Sequence, residues 1–249
     1  MRFSVIIPTY NHCDDLLKPC VESILKYTDL SEIELIISYN GCTDETKYYV
    51  NYLIHYFDYR GYGHHLKFHG VNKPSGFARA TNDGIRLASC DKIILLNNDC
   101  VLLEQPKNLW LNMLDGPFLQ DSQVGITGPV IQHSPDAGRD FCVFFCTMIH
   151  RKVFEKIGLL NEEYGVGTGE DVEFCVEAVN AGFKIQECTP KKLTNPEFYV
   201  GGFPIYHAGE RTVHDPSLVQ NFNKVFAKNG RKLARKYNPQ QYKWSLMNN

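Results

Sequence analysis

The sequence predicts an α/β fold: a mostly parallel central sheet with helices on both faces, followed by a basic helical tail. Three observations carry this expectation. The first half alternates short, apolar, β-branched runs with longer stretches of helical period. Those runs end abruptly in proline, asparagine or glycine. The chain has 249 residues, 43% hydrophobic and 22% charged, which is ordinary for an ordered domain and enough to bury a large core.

Ser4–Ile7 is a run of buried-strand character stopped by Pro8. Asp14–Lys26 places Leu16, Leu17, Cys20, Val21, Ile24 and Leu25 at helical spacing, with Asp14 as the cap. Glu34–Ile37 is a second strand, closed by the turn Asn40-Gly41, and a tyrosine-rich helix follows over Asp44–Phe57. Leu66–Val71 reads as a third strand, Phe77–Leu87 as a third helix and Lys92–Leu96 as a fourth strand. The second half is less regular. Strands are expected at Gly125–Ile131 and Phe141–His150, helices at Lys152–Ile157 and Asp171–Gly182, and a basic helix at Ser217–Tyr237. We divide the chain into a domain over 1–215 and a basic extension over 216–249, where no acidic residue follows Asp215.

Composition excludes several classes. A net charge of −2 lacks the basic excess of a nucleic-acid binder. Nine cysteines form no CxxC pair, and several lie in apolar runs where a thiol packs as a small hydrophobe, so neither a disulfide framework nor a zinc site is expected. The longest apolar stretch, Phe141–Ile149, is far short of the roughly 20 residues that a spanning helix needs. Pro8 and its polar neighbours come too early for a signal peptide. A cytoplasmic location is expected, with the basic tail available for peripheral membrane contact.

Four segments carry candidate chemistry. Pro8, Thr9, Tyr10 and Asn11 follow the first strand at the sheet edge where ligands of such folds lie. Asn97-Asn98-Asp99 follows the fourth strand; a carboxylate there suits a hard cation, which in turn holds a diphosphate. Gly167-Thr168-Gly169-Glu170-Asp171 heads a helix with Phe174, Cys175 and Val179 on its apolar face. His207 ends a short apolar strand. Taken singly, each has a plain structural reading: turn residues, an Asx turn, a dipole-matched helix start, a core histidine.

Their order and spacing, together with Asn40–Asp44, Asn72, Gly76-Phe77-Ala78, Asn82-Asp83-Gly84 and Gly158-Leu159, resemble the family 2 glycosyltransferases of the GT-A fold over roughly Arg2–Thr212. The resemblance implies an inverting enzyme that moves a sugar from a UDP-, dTDP- or GDP-sugar onto a hydroxyl of a glycan, glycolipid or protein-linked sugar. It implies that Pro8, Thr9, Tyr10 and Asn11 line the nucleoside pocket, with Tyr39 and Asn40 beside it. Gly76, Arg79 and Asn82 match the loop and helix next to the donor, and Asn97 and Asn98 the polar start of the DxD segment. Asp99 and His207 match the ligands of Mn²⁺ or Mg²⁺, Asp171 the general base and Glu170 an acceptor contact. Departures are visible: Tyr39 stands where relatives carry an aspartate that reads uracil, and Glu177 replaces an arginine one turn after Glu170-Asp171. Gly76-Phe77-Ala78 is reminiscent of relatives that transfer rhamnose.

Rival readings lack their signals. A sugar nucleotidylyltransferase needs a glycine-rich loop bearing arginine and lysine after the first strand, and a dinucleotide oxidoreductase needs GxGxxG; Pro8–His12 is neither. A catalytically degenerate sugar-binding protein on the same fold is the non-enzymatic alternative, and the presence of Asp99, Asp171 and His207 ranks it lower.

Overall fold

The computed structural model describes residues 1–189, 202–209, 221–240 and 242–243. In chain order the strands and helices are β1 (Phe3–Thr9), α1 (Lys18–Tyr27), β2 (Ile33–Asn40), α2 (Thr46–Tyr59), β3 (Leu66–Val71), α3 (Phe77–Leu87) and β4 (Lys92–Leu96). There follow β5 (Cys100–Leu102), α4 (Leu109–Gln120), β6 (Val124–Gly128), β7 (Ile131–Ser134), β8 (Arg139–Cys142), β9 (Cys146–His150) and α5 (Arg151–Ile157). The last are α6 (Glu170–Asn180), β10 (Lys184–Glu187), β11 (Ile205–His207) and α7 (Phe222–Tyr237).

Seven strands form one sheet in the order β10-β6-β9-β4-β1-β2-β3. The pairs β1·β2, β1·β4, β2·β3 and β10·β6 are parallel, and only β9 runs against its neighbours β4 and β6. Strands covered on both faces can be apolar throughout, and β1 is buried from Phe3 to Thr9. Alternation still sorts the side chains. Val5, Ile7, Leu35, Ile37, Ile94 and Leu96 join the core under α1, α2 and α4, whereas Ile6, Ile36, Ile93 and Leu95 join the one under α3 and α6. Helix α3 lies close on β1 because Gly84 has no side chain; a Cβ there would come within 2.4 Å of Ile6 Cγ2.

The alternating first half matches the sequence reading, with local differences. The segment expected as a single helix from Asp14 opens as a π-turn over Cys13–Leu17, entered from His12 in the left-handed region, and Asp14 does not cap it. The expected strand Phe141–His150 is two strands. The chain turns a corner at Val143–Phe145, where Val143 N–H donates to Val130 C=O and Thr147 Oγ1 to Val143 C=O. The expected strand Gly125–Ile131 likewise divides between β6 and β7, and β7 pairs with β8 as a hairpin. Helix α4 was not anticipated; it carries Pro117, a helix breaker, inside it. Strands β5 and β10 were also not anticipated. Residues 217–220 of the expected tail helix and the 215/216 boundary lie outside the described residues, and the helix described there begins at Phe222. All nine cysteines are free and buried. Among the described residues no helix is long and apolar enough to cross a membrane.

Candidate active site

The carboxyl ends of β1, β2 and β4 lie side by side, through the registers Pro8↔Ser38, Thr9↔Tyr39 and Ile6↔Leu95. Side chains stitch these ends together. Asn98 Nδ2 donates to Thr9 Oγ1 (2.9 Å) across the sheet edge. Asn11 accepts from Thr43 N–H through Oδ1 (2.8 Å), and Asp44 accepts from the N–H groups of Cys13 and Thr46. Burial acts to raise the Asp44 pKa, but these bonds and the Thr46 hydroxyl outweigh it and hold the carboxyl below its usual value. Asn11 and His12 both have positive φ (49° and 56°), so a strained loop follows the strand at the site. Tyr10 is buried, and the Tyr39 ring lies across Gly70, where a Cβ would come within 1.7 Å of it.

The loop that leads into α3 is anchored next. Asn40 Oδ1 accepts from Ser75 N–H (2.7 Å) and Ser75 Oγ (2.8 Å), and its Nδ2 donates to Gly76 C=O (3.3 Å). Gly76 has φ +95°, and a Cβ on it would meet Gly165 O at 2.4 Å; Phe77 N–H donates to that same oxygen. The loop before α3 therefore touches the loop that leads to Glu170. Arg79 and Asn82, expected beside the donor, are engaged elsewhere. Arg79 is half-exposed and paired with Asp83 (3.3 Å) and Glu162 (3.2 Å). Asn82 is buried, donating to Leu160 C=O and Glu162 Oε1 and accepting from Leu160 N–H. Both brace α3 against the 160–164 segment.

At the end of β4 three buried polar atoms have no hydrogen-bond partner among the described residues: Asn97 Oδ1, Asp99 Oδ1 and His207 Nε2. His207 reaches Asp99 because β11 pairs antiparallel with β5, setting His207 opposite Cys100, and Ala208 N–H donates to Asp99 C=O. Nε2 lies 3.3 Å from Asp99 Oδ1, a contact outside hydrogen-bond geometry. The imidazole stacks on the Phe145 ring (4.5 Å between centroids, 11° between planes). A carboxylate oxygen and an imidazole nitrogen, aimed together and otherwise unsatisfied, fit a divalent cation of the Mg²⁺ or Mn²⁺ kind. Cys100 is the third potential donor of the cluster. Its thiol donates instead to Phe145 C=O, and burial holds its pKa well above the ordinary value, so a hard cation has no thiolate to bind there.

The acid pair opens α6 after Gly169, at φ +104°. Glu170 is buried and its Oε2 lacks a partner. Asp171 accepts from Val172 N–H (2.8 Å), and the backbone N–H of Phe144 also donates toward its carboxylate. Burial nevertheless raises the pKa of both acids, and for Glu170 the neighbouring Asp171 charge raises it further. The Val143–Phe145 corner links the two centres, since Phe144 touches Asp171 while Phe145 lies beneath His207 and accepts from Asn97 N–H. Asp171 also faces a cavity of about 330 Å³ between the β7–β8 hairpin and α7.

Residues 4–116 match the family model described as Glycosyl transferase family 2. The match spans just under half of the chain. Similar solved structures agree on the fold. The mannosyltransferase PcManGT of Pyrobaculum calidifontis, solved with GDP-Man and Mn²⁺, is 17% identical at a TM-score of 0.60, covering 77% of this chain and 58% of that one. GalNAc-T7, solved with UDP, GalNAc and Mn²⁺, is 16% identical at a TM-score of 0.62, covering 75% and 42%. Residues 1–349 of S. aureus TarS with UDP are 15% identical at a TM-score of 0.58, covering 95% and 70%. The chain thus spans about half the length of the first two, and the domain has the GT-A fold that they share. No curated protein sequence matches the chain.

Three features of the site's surroundings had no usable sign in the sequence. Phe145 sat in a run read as strand, although its ring backs His207. Asn229, within α7, donates through Nδ2 to the carbonyls of Tyr164, Gly167 and Thr168 (3.0–3.2 Å). Glu177, which the resemblance marked only as a departure, binds Lys236 (2.9 Å) and the Tyr237 hydroxyl (2.6 Å) and so ties α7 to α6, a role with no sequence signal.

Proposed function

We propose that the protein transfers a sugar from a nucleoside-diphosphate sugar to an acceptor hydroxyl of a glycan or glycolipid, with inversion at the anomeric carbon. The observation that carries this reading is the orphaned pair Asp99 Oδ1 and His207 Nε2 at the mouth of β4 in a family 2 domain. Asp99 and His207 would hold Mn²⁺ or Mg²⁺, and two of the similar structures were solved with Mn²⁺. When bound, the cation supplies counter-charge for a diphosphate leaving group.

The chain's own residues do the rest. Thr9, held by Asn98, and the Asn11–Thr43 stitch keep the nucleoside side rigid, so little ordering remains to be done on binding. Tyr39 takes the place of an acidic base reader, which favours stacking over a hydrogen bond to the base and leaves uridine, thymidine and guanosine diphosphates as candidates. Asp171 accepts the acceptor's proton as its oxygen bonds to the anomeric carbon and the bond to the diphosphate breaks. Burial makes Asp171 a stronger base than an exposed aspartate, and a positioned base typically contributes about 10²–10⁴-fold. Adjacent helical residues diverge by about 100° in direction, so Glu170 and Asp171 serve different groups, Glu170 meeting the acceptor.

Calorimetric titration of UDP, GDP and dTDP into wild type and Asp99→Ala, with Mn²⁺ or chelator, tests the metal assignment. Tight binding should need both Mn²⁺ and Asp99. Equal affinity in all four conditions would exclude a metal-bridged donor.

A further inference from the structure

The cavity in front of Asp171 has an unusual builder. One wall is the β7–β8 hairpin with its turn, the floor is the start of α6, and the opposite wall is α7. The walls are fixed to one another. Asn238 Nδ2 donates to Pro135 C=O, and Asp136 packs directly on Gly230, where a Cβ would meet its carboxylate at 2.4 Å. Asn229 grips the loop that ends at Gly169.

The lining is mixed in a definite way. Phe141, Val143, Val172 and Leu233 supply apolar surface, and Phe226 is 55% exposed at the cavity with Phe222 one turn before it, ring centroids 6.1 Å apart. Gln132, Ser134 and Thr168 supply neutral hydrogen-bonding groups. Among the described residues that line it, the acidic side chains are Asp136 and Asp171, His133 is paired with Asp140 (2.7 Å), and no lysine or arginine belongs to it. Yet α7 is rich in basic residues. Lys232 and Lys236 are turned instead to Glu163, Glu173 and Glu177 outside the cavity.

From this juxtaposition we infer that the cavity is the acceptor subsite, that it takes the uncharged terminal sugar of a glycan, and that Phe226 and Gln132 select it. This rests on the transferase reading above. At about 330 Å³ the space is at the small end of ligand pockets, suited to one ring rather than an extended chain. A pyranose has an apolar face for an aromatic ring and a rim of hydroxyls for amide and hydroxyl partners. Two carboxylates with no lysine or arginine beside them among the described lining residues disfavour phosphate, sulfate or uronate. The acceptor's reacting part is thus neutral.

Saturation-transfer NMR decides the matter, using methyl glycosides of neutral hexoses and 6-deoxyhexoses against the matched sugar 6-phosphates. The protein is loaded with Mn²⁺ and the nucleoside diphosphate it binds best, and nucleotide affinity is measured on the same samples. At least one neutral glycoside should bind, with its phosphate about tenfold weaker or worse. Phe226→Ala and Gln132→Ala should each weaken it by about tenfold with nucleotide affinity unchanged. Phe226 and Gln132 are both exposed, so neither change threatens the fold. Tighter binding of the phosphates, wild-type glycoside affinity in both variants, or no glycoside binding by a protein that binds nucleotide would overturn the inference. Glycoside binding that depends on Phe226 in a protein that fails to bind nucleotide would keep the cavity as a sugar site and sink the transferase reading instead.

Discussion

Glu170 is buried, Asp171 beside it is partly so, and both are pushed toward the protonated state, so charging the pair costs folding free energy. The sign follows from linkage. A carboxyl whose pKa is higher in the folded than in the unfolded chain favours folding at low pH, where it is protonated in both states. That advantage is lost as pH rises from the ordinary glutamate value through the raised one. Glu170→Gln imitates the protonated form and should melt higher than wild type above neutrality, by about 1 kcal/mol or 2–4 °C, with the gap closing toward pH 4. Melting both proteins at pH 4 and pH 8 checks this; a variant less stable than wild type at pH 8 would mean that Glu170 is charged and partnered. Asp99, Asn97 and His207 also leave buried polar atoms unpartnered among the described residues, the feature on which the proposed metal site rests.

Helix α7 looks from the sequence like a solvated basic extension, yet its side chains hold the loop that presents the acid pair. Asn229 is buried, and its amide protons are shared among the Tyr164, Gly167 and Thr168 carbonyls and the Thr168 hydroxyl. Thr168 itself is in the left-handed region, at φ +72°, a conformation that costs energy and needs such support. Asn229→Ala should lose about 1–3 kcal/mol of stability, the cost of unpaired buried carbonyls. Turnover should fall further than donor affinity, because the loop leads to Asp171 and only indirectly, through Gly165 and Gly76, to the donor side. Denaturant melts with kcat and donor Kd on the same protein check it. A drop in donor affinity equal to the drop in kcat would show that α7 acts on the whole site and not on the acid loop.

At the scale of the molecule, the first half was legible because each parallel strand is an unbroken apolar run and each helix between them keeps a single apolar stripe. Residues 3–99 fold close to the sequence reading, differing mainly in the π-turn after His12, whose left-handed entry has no composition signal. The second half was hidden for specific reasons. Gly116-Pro117 masks a helix, since a proline near a helix end sacrifices only one bond. Phe141–His150 is apolar on both sides of a corner that only side-chain bonds to Val143 reveal. The site divided in the same way. Asp99, His207, Glu170 and Asp171, the residues of the proposed site, sit at element ends where polar residues interrupt apolar runs, a pattern visible in sequence. Asn82 has the same look and proved to be a brace, because its partners Leu160 and Glu162 are 78 and 80 residues away. The cavity escaped notice, for it is built by a hairpin and a helix about 90 residues apart in sequence.

The central proposal is that Asp171 is the base of an inverting transfer, and Asp171→Asn tests it most directly. Asparagine keeps the shape and can still accept from Val172 N–H, but takes no proton at neutral pH. Once a donor and acceptor pair is in hand, kcat and donor Kd are measured for both proteins, and the anomeric configuration of the product is read by NMR. Donor Kd should stay within about twofold while kcat falls about 10²-fold or more, and the wild-type product should be inverted. Near-normal turnover of Asp171→Asn, or a product with the donor's own configuration, would contradict it.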